Sequence, residues 1–205
     1  ITLLSSTPYL FVAHPSVPAK SVAELIALAK ASPGKLNYAA GGIAVGSHLA
    51  GELFKLQAGV ELVNIPYKGA PQATTDVVAG QVQLAFITMP TALPLVKAGK
   101  LRALGVTSAA RVAATPDIPA VAETVPNFDV RTWQGLLVPA ATPPAIIAKL
   151  HAAAVQAIRA ADVVEALKAQ GYEPVGNTPR EFERLIKNEI ATWKEVVKSA
   201  GIKPM

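Results

Sequence analysis

Leu36-Asn37-Tyr38-Ala39-Ala40-Gly41-Gly42-Ile43-Ala44-Val45-Gly46-Ser47-His48-Leu49-Ala50-Gly51-Glu52-Leu53-Phe54 reads as a strand, a glycine loop and a helix. Leu36 to Ala40 is short and extended in character, and Leu49, Leu53 and Phe54 recur at helical spacing. Between them, Gly41, Gly42 and Gly46 can take positive φ and let a ligand approach the main chain. Ser47 is the expected N-cap. The first turn after it would aim unpaired N–H donors at the loop, where the positive end of the helix dipole favours a carboxylate or phosphate. A plainer reading stands beside this one. Glycine turns join strand to helix in most α/β domains, and the spacing fits neither G-x-G-x-x-G nor G-x-x-x-x-G-K-S/T.

Upstream, Leu3 to Pro15 reads as a strand closed by proline, with Pro8 marking an edge or a crossing between domains. Ser21 and Glu24 form a capping box for a helix carrying Leu25, Ile26, Leu28 and Ala29, which Pro33-Gly34 ends. Downstream the alternation continues: strand Glu61 to Tyr67, helix Pro71 to Ala79, strand Val82 to Thr88, helix Thr91 to Ala98, strand Leu101 to Thr107. Such alternation predicts a parallel sheet covered on both faces. Periodicity fails from Ser108 to Asp129, where Pro116, Pro119 and Pro126 mark a connector. Gly135 to Leu150 then repeats the opening pattern of apolar strand, proline corner and amphipathic helix, which suggests two domains, each entered by a crossing strand. Asp162 and Glu165 are expected to cap a helix that Gly171 ends, and Thr178, Pro179 and Glu181 to start the last one. In that last helix Phe182, Leu185, Ile186, Ile190, Trp193, Val196 and Val197 make an apolar stripe that needs a covering surface. The strand material nearby, Trp133 to Pro139 and Tyr172 to Val175, is too little for three helices. This domain therefore reads as incomplete without residues upstream of Ile1.

With 205 residues, 51% of them hydrophobic and 16% charged, the chain can bury a sizeable core. It has no cysteine, which excludes disulfides, thiolate catalysis and cysteine-ligated metals. The net charge of +5 is spread out, without the basic stripe and interleaved aromatics that nucleic acid requires. No stretch approaches the roughly 20 apolar residues of a membrane span. The opening residues lack the charged start of a signal peptide, and the chain begins without methionine, as a processed or incomplete chain would.

Few side chains suggest chemistry. His14, His48 and His151 lie in separate elements with no carboxylate or histidine at ligand spacing, so neither a metal nor a cofactor is expected. Ser47 and His48 are neighbours on a helix and point apart, which rules out a nucleophile and its base. His48 either closes the loop by packing and hydrogen bonding or touches a ligand. Lys68, in the Tyr67-Lys68-Gly69 corner, either lends charge to the loop or is solvated. Ile87, Thr88 and Met89 end the next strand and either line the same rim or pack in the core.

Pro33 to Tyr38, His48 to Phe54, Val63-Asn64-Ile65-Pro66-Tyr67-Lys68-Gly69, Gly80-Gln81-Val82, Lys97 to Leu104, Pro116 to Pro119 and Trp133 to Leu137 fall in an order that resembles the tripartite tricarboxylate transporter receptors, the Bug family. The likeness runs from Leu3 to Lys203. It implies an α/β fold of the type II periplasmic binding protein kind, whose two lobes close on a small organic carboxylate and deliver it to a membrane permease. Residues 1–128 would form the complete second, ligand-binding lobe and 129–205 the C-terminal part of a partial first lobe, with the family's N-terminal segment absent. The ligand site would be the loop Ala40, Gly41, Gly42, Ile43, Ala44, Val45, Gly46, Ser47 with His48, Lys68, Ile87 and Thr88. Two departures stand out: Ile87 replaces a frequent acidic residue, and Ala44 and Val45 replace hydroxyl residues. Both imply a carboxylate whose far end is apolar or aromatic. The resemblance further implies a monomer when intact, with pairing through Phe182 and Trp193 open to the shortened chain. A periplasmic sensor module shares every one of these features. A small α/β enzyme using His48 or Lys68 is the alternative from another class.

Overall fold

The central strand of the computed structural model, which describes residues 1–202, is β1 (Thr2–Ala13). Lys203, where the resemblance ends, and the last two positions lie outside the described residues. From Tyr9 to Ala13, β1 pairs antiparallel with β4 (Leu84–Thr88), and from Leu10 to Ala13 with β5 (Arg102–Val106). Its first half changes partners. Thr2 to Pro8 pair with β6 (Arg131–Leu136), and Ser5 and Ser6 also pair with β7 (Glu173–Pro174). The switch falls between Pro8 and Tyr9, at the residue that has no N–H to give a ladder.

β2 (Asn37–Ala40) runs parallel to both β3 (Val63–Pro66) and β4, so the strand order is β3-β2-β4-β1-β5. The α/β class stands, but the sheet is mixed rather than parallel. Alternation of strand and helix fixes the direction of β2, β3 and β4, whereas β1 inserts between β4 and β5 against them.

Alternation along β1 divides the core. Phe11 and Ala13 face α1 (Val22–Ala31) and α2 (Gly46–Ala58), together with Tyr38, Phe54, Leu84 and Phe86. Leu10 and Val12 face α3 (Ala70–Val78) and α4 (Met89–Lys97), with Ala39, Val77, Ala85 and Ile87. Helices thus cover both faces, as expected. Phe11 stacks on Phe86 with centroids 4.2 Å apart and meets Phe54 edge-on at 4.9 Å.

The remaining helices are α5 (Pro144–Ile158), α6 (Ala161–Ala169) and α7 (Pro179–Ser199). The capping box of α7 is formed, with the Glu181 N–H donating to Thr178 Oγ1 and the Thr178 N–H to Glu181 Oε2. α6 departs from expectation: its N-cap is Ala160, and Asp162 sits inside the first turn, where it faces the helix dipole without capping a donor. α7 seats Phe182 against Gly135, edge-on to Trp133 at 5.4 Å, and Trp133 Nε1 donates to Glu189 at 2.9 Å. Its apolar stripe is only partly covered. Phe182 and Val196 are buried, while Ile190 is 63% exposed. No helix among the described residues is long and apolar enough to cross a membrane.

Candidate functional site

β2 and β4 end at the same edge of the sheet, where an open α/β fold places its ligands. The loop that follows β2 is held from beneath. Ala40 C=O accepts from Tyr67 N–H at 2.8 Å, tying it to the neighbouring β3–α3 corner. At Gly41 the loop passes so close to the start of α3 that an added Cβ would lie 2.9 Å from Ala70 N. The left-handed residue of the loop is Ala44, at φ 58°; of the three glycines Gly42 alone takes a positive φ, at 159°.

Ser47 is not the N-cap. That position belongs to Val45, which offers no side-chain acceptor, and α2 begins at Gly46. Ser47 lies two positions past the N-cap, and its Oγ instead accepts from the Gly41 N–H at 3.2 Å. His48 Nδ1 accepts from the Ala44 N–H at 2.9 Å. The N–H groups of Gly42, Ile43, Val45, Gly46 and Ser47 meet no acceptor among the described residues. Helix geometry points those of Gly46 and Ser47 out of the N-terminus.

Beneath the loop lies a buried polar cluster. Glu52 accepts from Tyr38 Oη at 2.7 Å and from Lys55 Nζ at 2.8 and 2.9 Å, and His48 Nε2 is 3.8 Å from Glu52 Oε1. Burial, and then the Glu52 carboxylate it donates to, push the Tyr38 phenol far up, so it stays a donor. Burial also lowers the His48 pKa, with Glu52 opposing and Lys55 reinforcing the shift.

Above the loop is a cavity of about 410 Å³. Gly41, Val45, Gly46 and Ser47 form one wall, Ala70, Pro71 and Thr74 of α3 another, and Ile87, Thr88 and Thr91 the rim between β4 and α4. Tyr9 closes it, its hydroxyl against Gly46. The N-termini of α2, α3 and α4 therefore converge on one concavity whose sides are mostly apolar, with hydroxyls from Tyr9, Ser47, Thr74, Thr88 and Thr91 and no cationic side chain in the lining.

Of the residues singled out from sequence, Gly41, Val45, Gly46, Ser47, Ile87 and Thr88 reach this cavity. Ala40 is buried in the sheet, Gly42, Ile43 and Ala44 form the outer turn of the loop, and His48 is buried behind it. Lys68 is exposed at the β3–α3 corner and is not among the residues lining the cavity. Met89 is fully buried against Gly171. Tyr9, Thr74 and Thr91 were not foreseen. Thr74 and Thr91 stand one turn into their helices, a position sequence spacing gives once the cavity is known. Tyr9 arrives through its pairing opposite Thr88, which no local pattern encodes.

The family model for the tripartite tricarboxylate transporter family receptor matches residues 1–202. The chain belongs to that receptor family. It is 35% identical to Protein BugT of Bordetella pertussis (strain Tohama I) over 204 residues, covering 99% of this chain and 63% of BugT. The solved structure of R. palustris Rpa4515 with adipate superposes with a TM-score of 0.90 at 34% identity, over 99% of this chain and 68% of that one. MatC (Rpa3494) from Rhodopseudomonas palustris with bound malate gives 0.83 at 30% identity, over 95% and 68%. The chain thus spans about three fifths of BugT's length, and the family's receptors are similar to it along all the elements that build the cavity.

Proposed function

We propose that this chain carries one wall of a periplasmic receptor's cleft, where it captures a small organic carboxylate on main-chain N–H groups for delivery to a tripartite membrane permease. The observation that carries the proposal is the set of unpartnered amides of Gly42, Ile43, Val45, Gly46 and Ser47 at the start of α2, beside a cavity lined without a cation. Oriented amides at a helix N-terminus bind anions without a charged side chain. Relatives whose structures hold adipate and malate support the ligand class. In the proposed division, residues 1–128 form the ligand lobe and 129–205 part of the other, with β1 shared between them and the hinge at Pro8–Tyr9 and Asp129 to Gln134.

The apolar walls at Val45, Ala73, Ala85 and Ile87 favour a ligand whose far end is apolar or aromatic, since nothing in the lining would neutralise an ammonium. Calorimetry of the chain with adipate, benzoate, aspartate and citrate tests this. Binding of adipate or benzoate is expected; tight aspartate binding alone would overturn the assignment. In Lys68→Ala the affinity should stay within about threefold, because an exposed lysine outside the lining contributes little. A loss beyond tenfold would place the charge, rather than the amides, in the site.

A further inference from the structure

His48 touches the loop but not the cavity, and its ring nitrogens face different groups: Nδ1 is hydrogen-bonded to the loop, and Nε2 lies near the Glu52 carboxylate. Nδ1 accepts the Ala44 N–H at 2.9 Å, so it carries no proton. The ring proton therefore sits on Nε2, directed toward Glu52 Oε1 at 3.8 Å, a carboxylate already fixed by Tyr38 and Lys55. The ring is buried and lies 24° from parallel to Tyr38, with ring centroids 6.5 Å apart. Its single bond to the loop goes to Ala44, whose left-handed backbone makes the turn that exposes the flanking amides.

We propose that His48 is the positioning residue of the carboxylate loop, an obligate Nδ1 acceptor that holds Ala44 in its left-handed turn, so that protonation of the ring releases the loop and weakens capture. This rests on the proposed receptor function for its effect on ligand, but not for its effect on the loop. A proton on Nδ1 would set two donors against each other across 2.9 Å, which neither partner can accommodate without moving. The groups that bear on the ring are Glu52 and Lys55 of its own helix and Tyr38 of β2. The loop itself has no titratable side chain, and Glu189 of α7, which packs on α2, is engaged by Trp133. Because the folded environment disfavours the charged ring, the loop is fully formed above the ordinary imidazole value of 6.5. It is lost as the pH falls through the lowered folded value.

Three measurements on the chain decide it. In the wild type at pH 7.5, the ¹⁵N shift of His48 Nδ1 should be that of an unprotonated nitrogen; a protonated Nδ1 overturns the proposal. Amide hydrogen exchange at Ala44 should quicken by about tenfold in His48→Leu and stay near the wild-type rate in His48→Asn, whose Oδ1 stands where Nδ1 stood. Equal exchange in all three proteins overturns it. Adipate affinity should fall between pH 7.5 and pH 5 in the wild type by more than in His48→Asn, where no imidazole titrates; equal falls overturn the acid-release step. Should adipate not bind the wild type at all, the receptor function fails while the exchange result still decides the role of His48.

Discussion

Gly51 offers a test in which local propensity and packing predict opposite signs. It sits mid-way along α2, where alanine is favoured over glycine by about 0.8–1 kcal/mol. A Cβ there would lie 2.5 Å from Cζ and 2.9 Å from Cδ2 of Tyr38, a ring with no exposed surface. Restoring an ordinary 3.4 Å contact to Cζ demands a retreat of about 0.9 Å, in a core where Tyr38 also meets Phe86 edge-on. Overpacking of this kind costs about 1–3 kcal/mol. The same retreat stretches the 2.7 Å bond from Tyr38 Oη to Glu52, and a hydrogen bond to a charged group is worth about 1.5–3 kcal/mol. With the propensity gain subtracted, Gly51→Ala should lose about 1.5–5 kcal/mol. Urea unfolding at pH 7.5 measures it as a fall in midpoint at constant slope. In a Tyr38→Leu background the obstacle is gone, and the same substitution should turn neutral or stabilising. If Gly51→Ala is as stable as the wild type when Tyr38 is present, the close seating of α2 on β2 is wrong, and the buried cluster under the loop with it.

Two further substitutions probe the frame around the cavity. Ala44 is exposed, so changes there report backbone alone: Ala44→Gly should stay within about 0.5 kcal/mol of the wild type, whereas Ala44→Val should lose about 1–2 kcal/mol, measured by thermal unfolding. Equal effects would mean that the left-handed turn is not required. Thr107, fully buried, accepts the Tyr9 N–H at 2.8 Å and donates to Val130 C=O at 2.6 Å. Thr107→Val strands that N–H and should cost about 1–3 kcal/mol in urea unfolding, while Thr107→Ser keeps both bonds and most of the stability. A Thr107→Val variant as stable as the wild type would refute the role of the hydroxyl.

What the sequence makes legible is what local chemistry determines. The alternation of strands and helices, the caps at Ser21 and Thr178 and the glycine corner after Ala40 all follow from residues a few positions apart, and all are found. Ser47 shows the limit: a hydroxyl just inside a helix start can cap the turn or reach back to the loop, and the choice was made by Gly41 folding under it. The direction of β1 and the arrival of Tyr9 at the cavity depend on pairing across some eighty residues of chain, where periodicity carries no information. Lys68 is next to the loop's neighbouring corner in sequence, yet it is exposed and outside the cavity lining, a placement that spacing along the chain does not encode.

A site made of amides has a different selectivity from one made of cations. A lysine ammonium attracts any anion that reaches it, whereas N–H groups fixed at a helix start reward an oxygen only where their directions meet. Here those directions are set through a chain of neighbours: Phe86 meets Tyr38 edge-on, Tyr38 donates to Glu52, Glu52 lies beside His48, and His48 accepts from Ala44. Under the proposed function, the head of the ligand would meet a geometry shared with any carboxylate. Under that same function, discrimination among carboxylates would fall on Val45, Ile87, Thr74, Thr88 and Thr91, which line the rest of the cavity. Exchanging those side chains should change which acid binds, and exchanging His48 or Gly51 should change how well every acid binds.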